Sequence, residues 1–174
     1  MIDPKHRTAT ILRPPKATYD DEGTFDRFIA DTGWSCDFME LPDRNNEPDL
    51  SLVDEGTFRM VFRKTQRHPE GIYIMAEPDD GRTAVEWHGA NVAGDIKKGF
   101  ASQLHGCGAP GASVETFKKG TRLGDIVLTR DQRGVAASGP TLQALERQYR
   151  NADGTQADVW VTIKRQSALE MEFG

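Results

Sequence analysis

Alternation of apolar and polar positions marks most of this chain as extended. In Thr57-Phe58-Arg59-Met60-Val61-Phe62-Arg63, the side chains of Phe58, Met60 and Phe62 share one pleat face while Thr57, Arg59 and Arg63 leave it and Val61 blurs the pattern; that is the two-residue period of a half-buried strand, expected over Thr57 to Lys64. Further strands are expected at Thr8 to Leu12, Trp34 to Leu41, Gly71 to Glu77, Thr83 to His88, Asp125 to Thr129 and Asp158 to Lys164. The last holds Val159-Trp160-Val161-Thr162-Ile163, a β-branched and aromatic run suited to a core strand, with Trp160 and Thr162 on the face opposite Val159, Val161 and Ile163.

One helix stands out. Ser138-Gly139-Pro140 supplies a capping residue and a first-turn proline, and Leu142, Leu145 and Tyr149 then fall on one face. A shorter helix around Val92 to Gln103 is weakened by Gly94 and Gly99. Asp43 to Asp49 and Pro78 to Gly81 carry Asn, Asp, Pro and Gly and read as turns. Many strands against one helix predict a mainly β (α+β) fold, an antiparallel or mixed β-sandwich or barrel-like domain with a flanking C-terminal helix.

Composition narrows the function classes. At 174 residues the chain is expected to form a single domain over 1–174 with a core that needs no disulfide or metal to hold it. A net charge of −5 argues against nucleic-acid binding, which draws on a dense field of Lys and Arg. The local cluster Arg59, Arg63, Lys64 and Arg67 reads as a solvated edge strand and turn. No apolar run is long enough to span a membrane, and Met1 to His6 lacks an apolar signal core, so the bacterial host cytoplasm is the expected site of synthesis, with a virus particle as a further destination. Cys36 lies in an apolar strand pattern and Cys107 in a glycine turn, so the two are expected not to pair. His6 and His68 sit in polar, turn-like surroundings and read as surface residues.

Candidate chemistry concentrates between His88 and Cys107, where two of the 4 histidines and the second cysteine fall in one window. A cysteine attacks as thiolate, and an imidazole nearby takes its proton. Gly106 and Gly108 flank Cys107, allowing a sharp turn and amides directed at an oxyanion. Asn91 and Asp95 are expected to cap a helix near Val92 or to order the loop. His88, His105, Cys107 and Asp95 are all possible zinc ligands but lack paired-ligand spacing, so no metal or other cofactor is expected.

The window His88, His105-Gly106-Cys107 resembles the active-site motif of the L,D-transpeptidases. A larger part of the chain, about 8–164, resembles a bacteriophage-associated domain family of unknown function that is itself similar to a reduced L,D-transpeptidase. That likeness rests on Cys36-Asp37-Phe38-Met39-Glu40-Leu41-Pro42-Asp43, on Ser51-Leu52-Val53-Asp54-Glu55-Gly56-Thr57-Phe58, on His88 with Asn91 and Asp95, on Gly106-Cys107 with Gly111, and on the terminal helix and strand. The resemblance implies Cys107 as nucleophile, His88 as its polarising base and His105 as a supporting group. Two positions depart from the transpeptidase pattern. Leu104 replaces a usual Ser or Thr, and Gly108-Ala109-Pro110 replaces a hydrophobic residue and an arginine expected to bind a peptide carboxylate.

The implied activity is cleavage or transfer of peptidoglycan stem-peptide amides, with peptidoglycan peptides as partners. The alternative is a non-catalytic virion or assembly component that uses the same scaffold against other phage structural proteins, since a fold does not by itself establish activity. A third reading, a zinc hydrolase, requires metal on His88 and His105.

Overall fold

A computed structural model describes residues 6–18, 20–77, 82, 84–167, 169 and 170. Its centre is a mixed sheet built from β1 (His6–Arg13), β2 (Thr24–Ala30), β3 (Ser35–Glu40), β4 (Gly56–Arg63), β5 (Ile72–Met75), β6 (Glu86–Trp87), β7 (Ala109–Gly111) and, from the C-terminal part, β12 (Asp158–Arg165). These lie in the order β6-β5-β4-β12-β1-β2-β3-β7. Strands β1 and β12 run parallel, with Ala9 opposite Val161, and the other pairs are antiparallel. The two ends of the sheet meet through a parallel bridge between Trp87 and Gly108, so the sheet is nearly closed and barrel-like.

Outside it, β8 (Ser113–Phe117) pairs with β11 (Gln132–Ala136), and a small hairpin joins β9 (Arg122–Leu123) to β10 (Ile126–Val127). The helix α1 (Ser138–Gln148) follows β11. No described helix is long and apolar enough to cross a membrane.

Burial follows the alternation. Val159, Val161 and Ile163 are buried while Trp160 is exposed, as the pattern of β12 predicts. Inside the barrel, Phe28 meets Trp87 edge to face at 5.3 Å between ring centroids, and Tyr73 lies 5.4 Å from Trp87 and 6.2 Å from Tyr149. Such arrangements suit the ring quadrupoles. Leu145 and Tyr149 carry α1 into this core, and each buried phenol is satisfied by a backbone carbonyl: Tyr149 donates to Thr8 O (3.1 Å) and Tyr73 to Ala157 O (2.8 Å).

The structure revises several expectations. Strand β4 lies between β5 and β12, so Arg59 and Arg63 mark the outer face of an interior strand rather than an edge. The segment Val92 to Gln103 is a loop with one 3-10 turn at Ile96–Lys98, because Gly94 pairs back onto Ala101 and Gly99 ends the turn at φ 85°. Helix α1 begins after Ala137, which takes a left-handed conformation without a side-chain cap, while the Ser138 hydroxyl accepts from the Ala90 amide at 3.0 Å. Asp43 to Asp49 is a turn region with Asn45, Asn46 and Asp49 at positive φ. Thr83 and the expected turn at Pro78 to Gly81 lie outside the described residues.

A buried ion pair ties β1 to β3 across β2. Arg13 donates to both carboxylate oxygens of Glu40, at 2.8 and 2.9 Å, with both side chains nearly sealed from solvent. Burial opposes the charge on Glu40, but Arg13 prevails and holds that carboxyl below its ordinary value. Asp26 on β2 responds in the other direction. Burial, then repulsion from Glu40, pushes its carboxyl well above the ordinary range, so folded Asp26 is a neutral acid. Above the unfolded value of about 3.9 the unfolded chain releases this proton while the folded chain retains it, so Asp26 costs stability as pH rises. Asp26→Asn, which keeps the shape and removes the titration, should raise the melting temperature at pH 7. The gain should shrink towards pH 4 when the two proteins are compared by thermal unfolding across that interval.

Candidate functional site

The bridge that closes the barrel also builds the site. Gly108 N–H donates to Glu86 O (3.0 Å) and His88 N–H donates to Gly108 O (3.1 Å), so Gly108 stands opposite Trp87. By strand alternation Glu86 and Cys107 become lateral neighbours, and His88 follows two residues along from Glu86 on the same face. Trp87 and Gly108 face the other way, into the core. A Cβ on Gly108 would lie 2.4 Å from the Phe38 ring, so only glycine lets the returning chain approach this closely.

Between His88 and Cys107 the chain makes an excursion and returns. Ala93 bridges to Ser102, Gln103 N–H donates to Val92 O (2.9 Å), and the 3-10 turn forms the tip. Asp95 accepts from Lys97 N–H (2.9 Å) as the cap of that turn and from the Arg44 guanidinium (2.8 Å). Asn91 fixes the base of the loop: its side chain donates to Val135 O, its carbonyl accepts from Val135 N–H, and its own N–H donates to Gln103 Oε1 (2.7 Å). Buried Gln132 holds the other limb by bonding both the N–H and the carbonyl of Ala101. Asn91 and Asp95 thus order the loop and stay outside the cleft that it borders. Gln103 and Gln132, which no sequence pattern marked, share that task.

Cys107, His88 and His105 line one cleft of about 230 Å³. Cys107 is buried, with its thiol donating to Ala84 O at 3.6 Å, and among the described residues no hydrogen bond joins it to an imidazole. Burial raises the thiol above its ordinary value, although the backbone groups of Glu86 and His105 work against that rise. His88 is held below the ordinary imidazole value, chiefly by burial, while its Nδ1 lies 3.1 Å from Gly89 O. At rest and neutral pH the site therefore holds a neutral thiol and a neutral imidazole. His105 is exposed at the mouth.

The two glycines have separate tasks. Gly106 takes a left-handed φ of 89°, as a turn requires. Gly108 serves close approach, and its amide is committed to Glu86 O, so it is not available to an oxyanion. The Gly106 and Cys107 amides have no acceptor among the described residues.

Six residues absent from the expected site also line the cleft: Arg67, His68 and Glu86, together with Asp49, Ala84 and Gln103. His68 is half-buried, with Nδ1 3.2 Å from Glu70 and Nε2 3.5 Å from Glu86, so it belongs to the cleft rather than to the open surface. Arg67 is exposed at the rim without an ion-pair partner among the described residues. Only the pairing of β5 with β6 and the barrel closure bring this distant segment to Cys107. Among the described residues no group of three His, Cys, Asp or Glu side chains is arranged to hold a metal ion.

Cys36 and Cys107 are both free thiols, in different core clusters, and burial pushes Cys36 up to about 12. Comparison with known proteins finds no family model that matches the chain and no similar curated protein or solved structure.

Two measurements check this geometry. Gly108→Ala forces a methyl against Phe38 and should cost about 1–3 kcal/mol in urea unfolding. Alkylation of ligand-free Cys107 by iodoacetamide, followed by peptide mass mapping, should reach half its maximal rate above the free-thiol value of about 8.5.

Proposed function

We propose that the chain is a cysteine-dependent acyl-transfer or hydrolytic enzyme that acts on peptide amides of the peptidoglycan stem type, built on an L,D-transpeptidase-like scaffold of the kind associated with bacteriophages. The observation that carries this reading is the placement of Cys107 and His88 on one face of the barrel closure, opening on a common cleft. Resemblance in the His-Gly-Cys window supports it.

The chemistry follows from two neutral partners. A ligand amide entering the cleft displaces the contact of the thiol with Ala84 O, and His88 takes the proton as sulfur attacks the carbonyl carbon. The oxyanion forms next to the amides of Gly106 and Cys107. His88 returns the proton to the departing amine as the C–N bond breaks, leaving a thioester on Cys107. Water, or a second amine, then attacks the thioester and releases acid or a new amide, with the thiolate taking the proton back. Arg67 at the rim supplies a cation for a ligand carboxylate, the task that the residues following Cys107 do not perform.

One observation favours the non-catalytic reading, in which the scaffold serves virion assembly: the resting thiol is buried and raised, with its hydrogen bond directed at a carbonyl. Turnover separates the two. Wild type should cleave or transfer a peptidoglycan-derived tetrapeptide, and Cys107→Ala should abolish this while retaining the wild-type circular dichroism. Because neutral His88 is the base, kcat/KM should rise with pH along an acid limb centred below the ordinary imidazole value of about 6.5, and His88→Gln should remove that limb. Turnover by Cys107→Ala, or muropeptides untouched by wild type, sinks the enzyme reading.

A further inference from the structure

A second groove, of about 610 Å³, adjoins the thiol cleft, and His68 and His88 form the wall common to both. One side is the β4–β5 hairpin, with Phe62 and Ile72; the other is an exposed face of α1. Gly139, Leu142 and Glu146 recur along that face at helical spacing, and Arg150 follows just beyond the end of the helix. The cleft at Cys107 is smaller than the roughly 300 Å³ at which ligand pockets begin, and the groove supplies what a peptide of several residues needs.

Glu146 is the feature of this groove that fold stability does not explain. Its side chain is half-buried, makes no hydrogen bond or ion pair among the described residues, and faces the open groove. Burial raises its carboxyl above the ordinary value; Arg150 opposes that rise and Glu70 adds to it. A partly desolvated carboxylate that makes no hydrogen bond is a cost to the empty protein even with Arg150 nearby, and a cation that bonds to it in the groove reduces that cost. Leu142 next to it offers an apolar contact for the stem of a long aliphatic side chain.

We infer that the groove along α1 is a second arm of the binding site, taking the continuation of the peptide whose amide reaches Cys107 and binding a primary ammonium group of that peptide at Glu146. This rests on the reading of Cys107 as a peptide-directed nucleophile, but binding tests it separately from turnover.

The test uses Cys107→Ser protein, so that ligand is not consumed, and isothermal titration with two probes: a tetrapeptide carrying one lysine side chain, and the same peptide with that amine acetylated. The amine peptide should bind about tenfold more tightly, as a charge-assisted hydrogen bond of about 1.5 kcal/mol gives. In Cys107→Ser/Glu146→Gln the two affinities should become equal, while Glu146→Gln alone should leave the Cys107 alkylation rate unchanged. Equal affinities in Cys107→Ser, discrimination that survives Glu146→Gln, or no binding of either peptide overturns the inference. Loss of turnover without loss of discrimination would instead fault the nucleophile reading and leave the groove intact.

Discussion

Everything at the candidate site depends on the two hydrogen bonds that join β6 to the chain around Gly108. They connect the ends of an eight-stranded sheet and so remove its most exposed edges. The same bonds set which side chains face the core and which face the cleft. Trp87 goes inward to meet Phe28 and Tyr73, which obliges Glu86 and His88 to face out beside Cys107. Core packing and site geometry are therefore one constraint. A one-residue slip in this pairing would exchange the faces, turning the indole into the cleft and a histidine and a carboxylate into the apolar core.

Much of the fold was legible because it depends on local alternation. Strands β1, β3, β4 and β12 were recognisable within a residue or two from their alternation, although Val61 blurs it in β4, and so was α1 from its proline and apolar face. Strand β2 was missed although Thr24–Ala30 alternates clearly in burial, because its inward positions include Thr24 and Asp26. A polar residue facing inward reads in the sequence as a break. Strand β7 was missed for a different reason: Ala109-Pro110-Gly111 carries no β propensity, and its pairing with β3 is imposed by the fold around it.

The site was legible where residues lie close in sequence and hidden where they do not. His88, His105 and Cys107 fall in one window, and the loop between them brings them to one cleft. Arg67 and His68 come from the segment joining β4 to β5, where neither periodicity nor a motif sets them apart from ordinary solvated residues. Their signal is topological: β5 pairs with β6, so the β4–β5 connection ends at the mouth of the cleft. Gln103 and Gln132 were hidden because a buried amide bonding to backbone leaves no compositional trace.

If Cys107 and His88 act as proposed, the electrostatics of the site require the chemistry to begin only when a ligand arrives. A permanent thiolate and imidazolium would need a solvated or strongly cationic setting, and here burial raises the thiol and lowers His88 together. Each neutral form is the one the buried setting prefers, so the empty protein stores no separated charge. In the proposed reading, negative charge developing on sulfur would be favoured by the backbone groups of Glu86 and His105. Glu86 works against that charge on sulfur, yet favours positive charge on His88. The carboxylate lies beside the cleft, 3.5 Å from His68; in the proposed reading its cost to the thiol falls on the resting protein and its benefit to imidazolium comes as the proton moves. The barrel closure makes this trade possible, because it sets Glu86 beside Cys107 and aligns it with His88 in a single step of strand pairing.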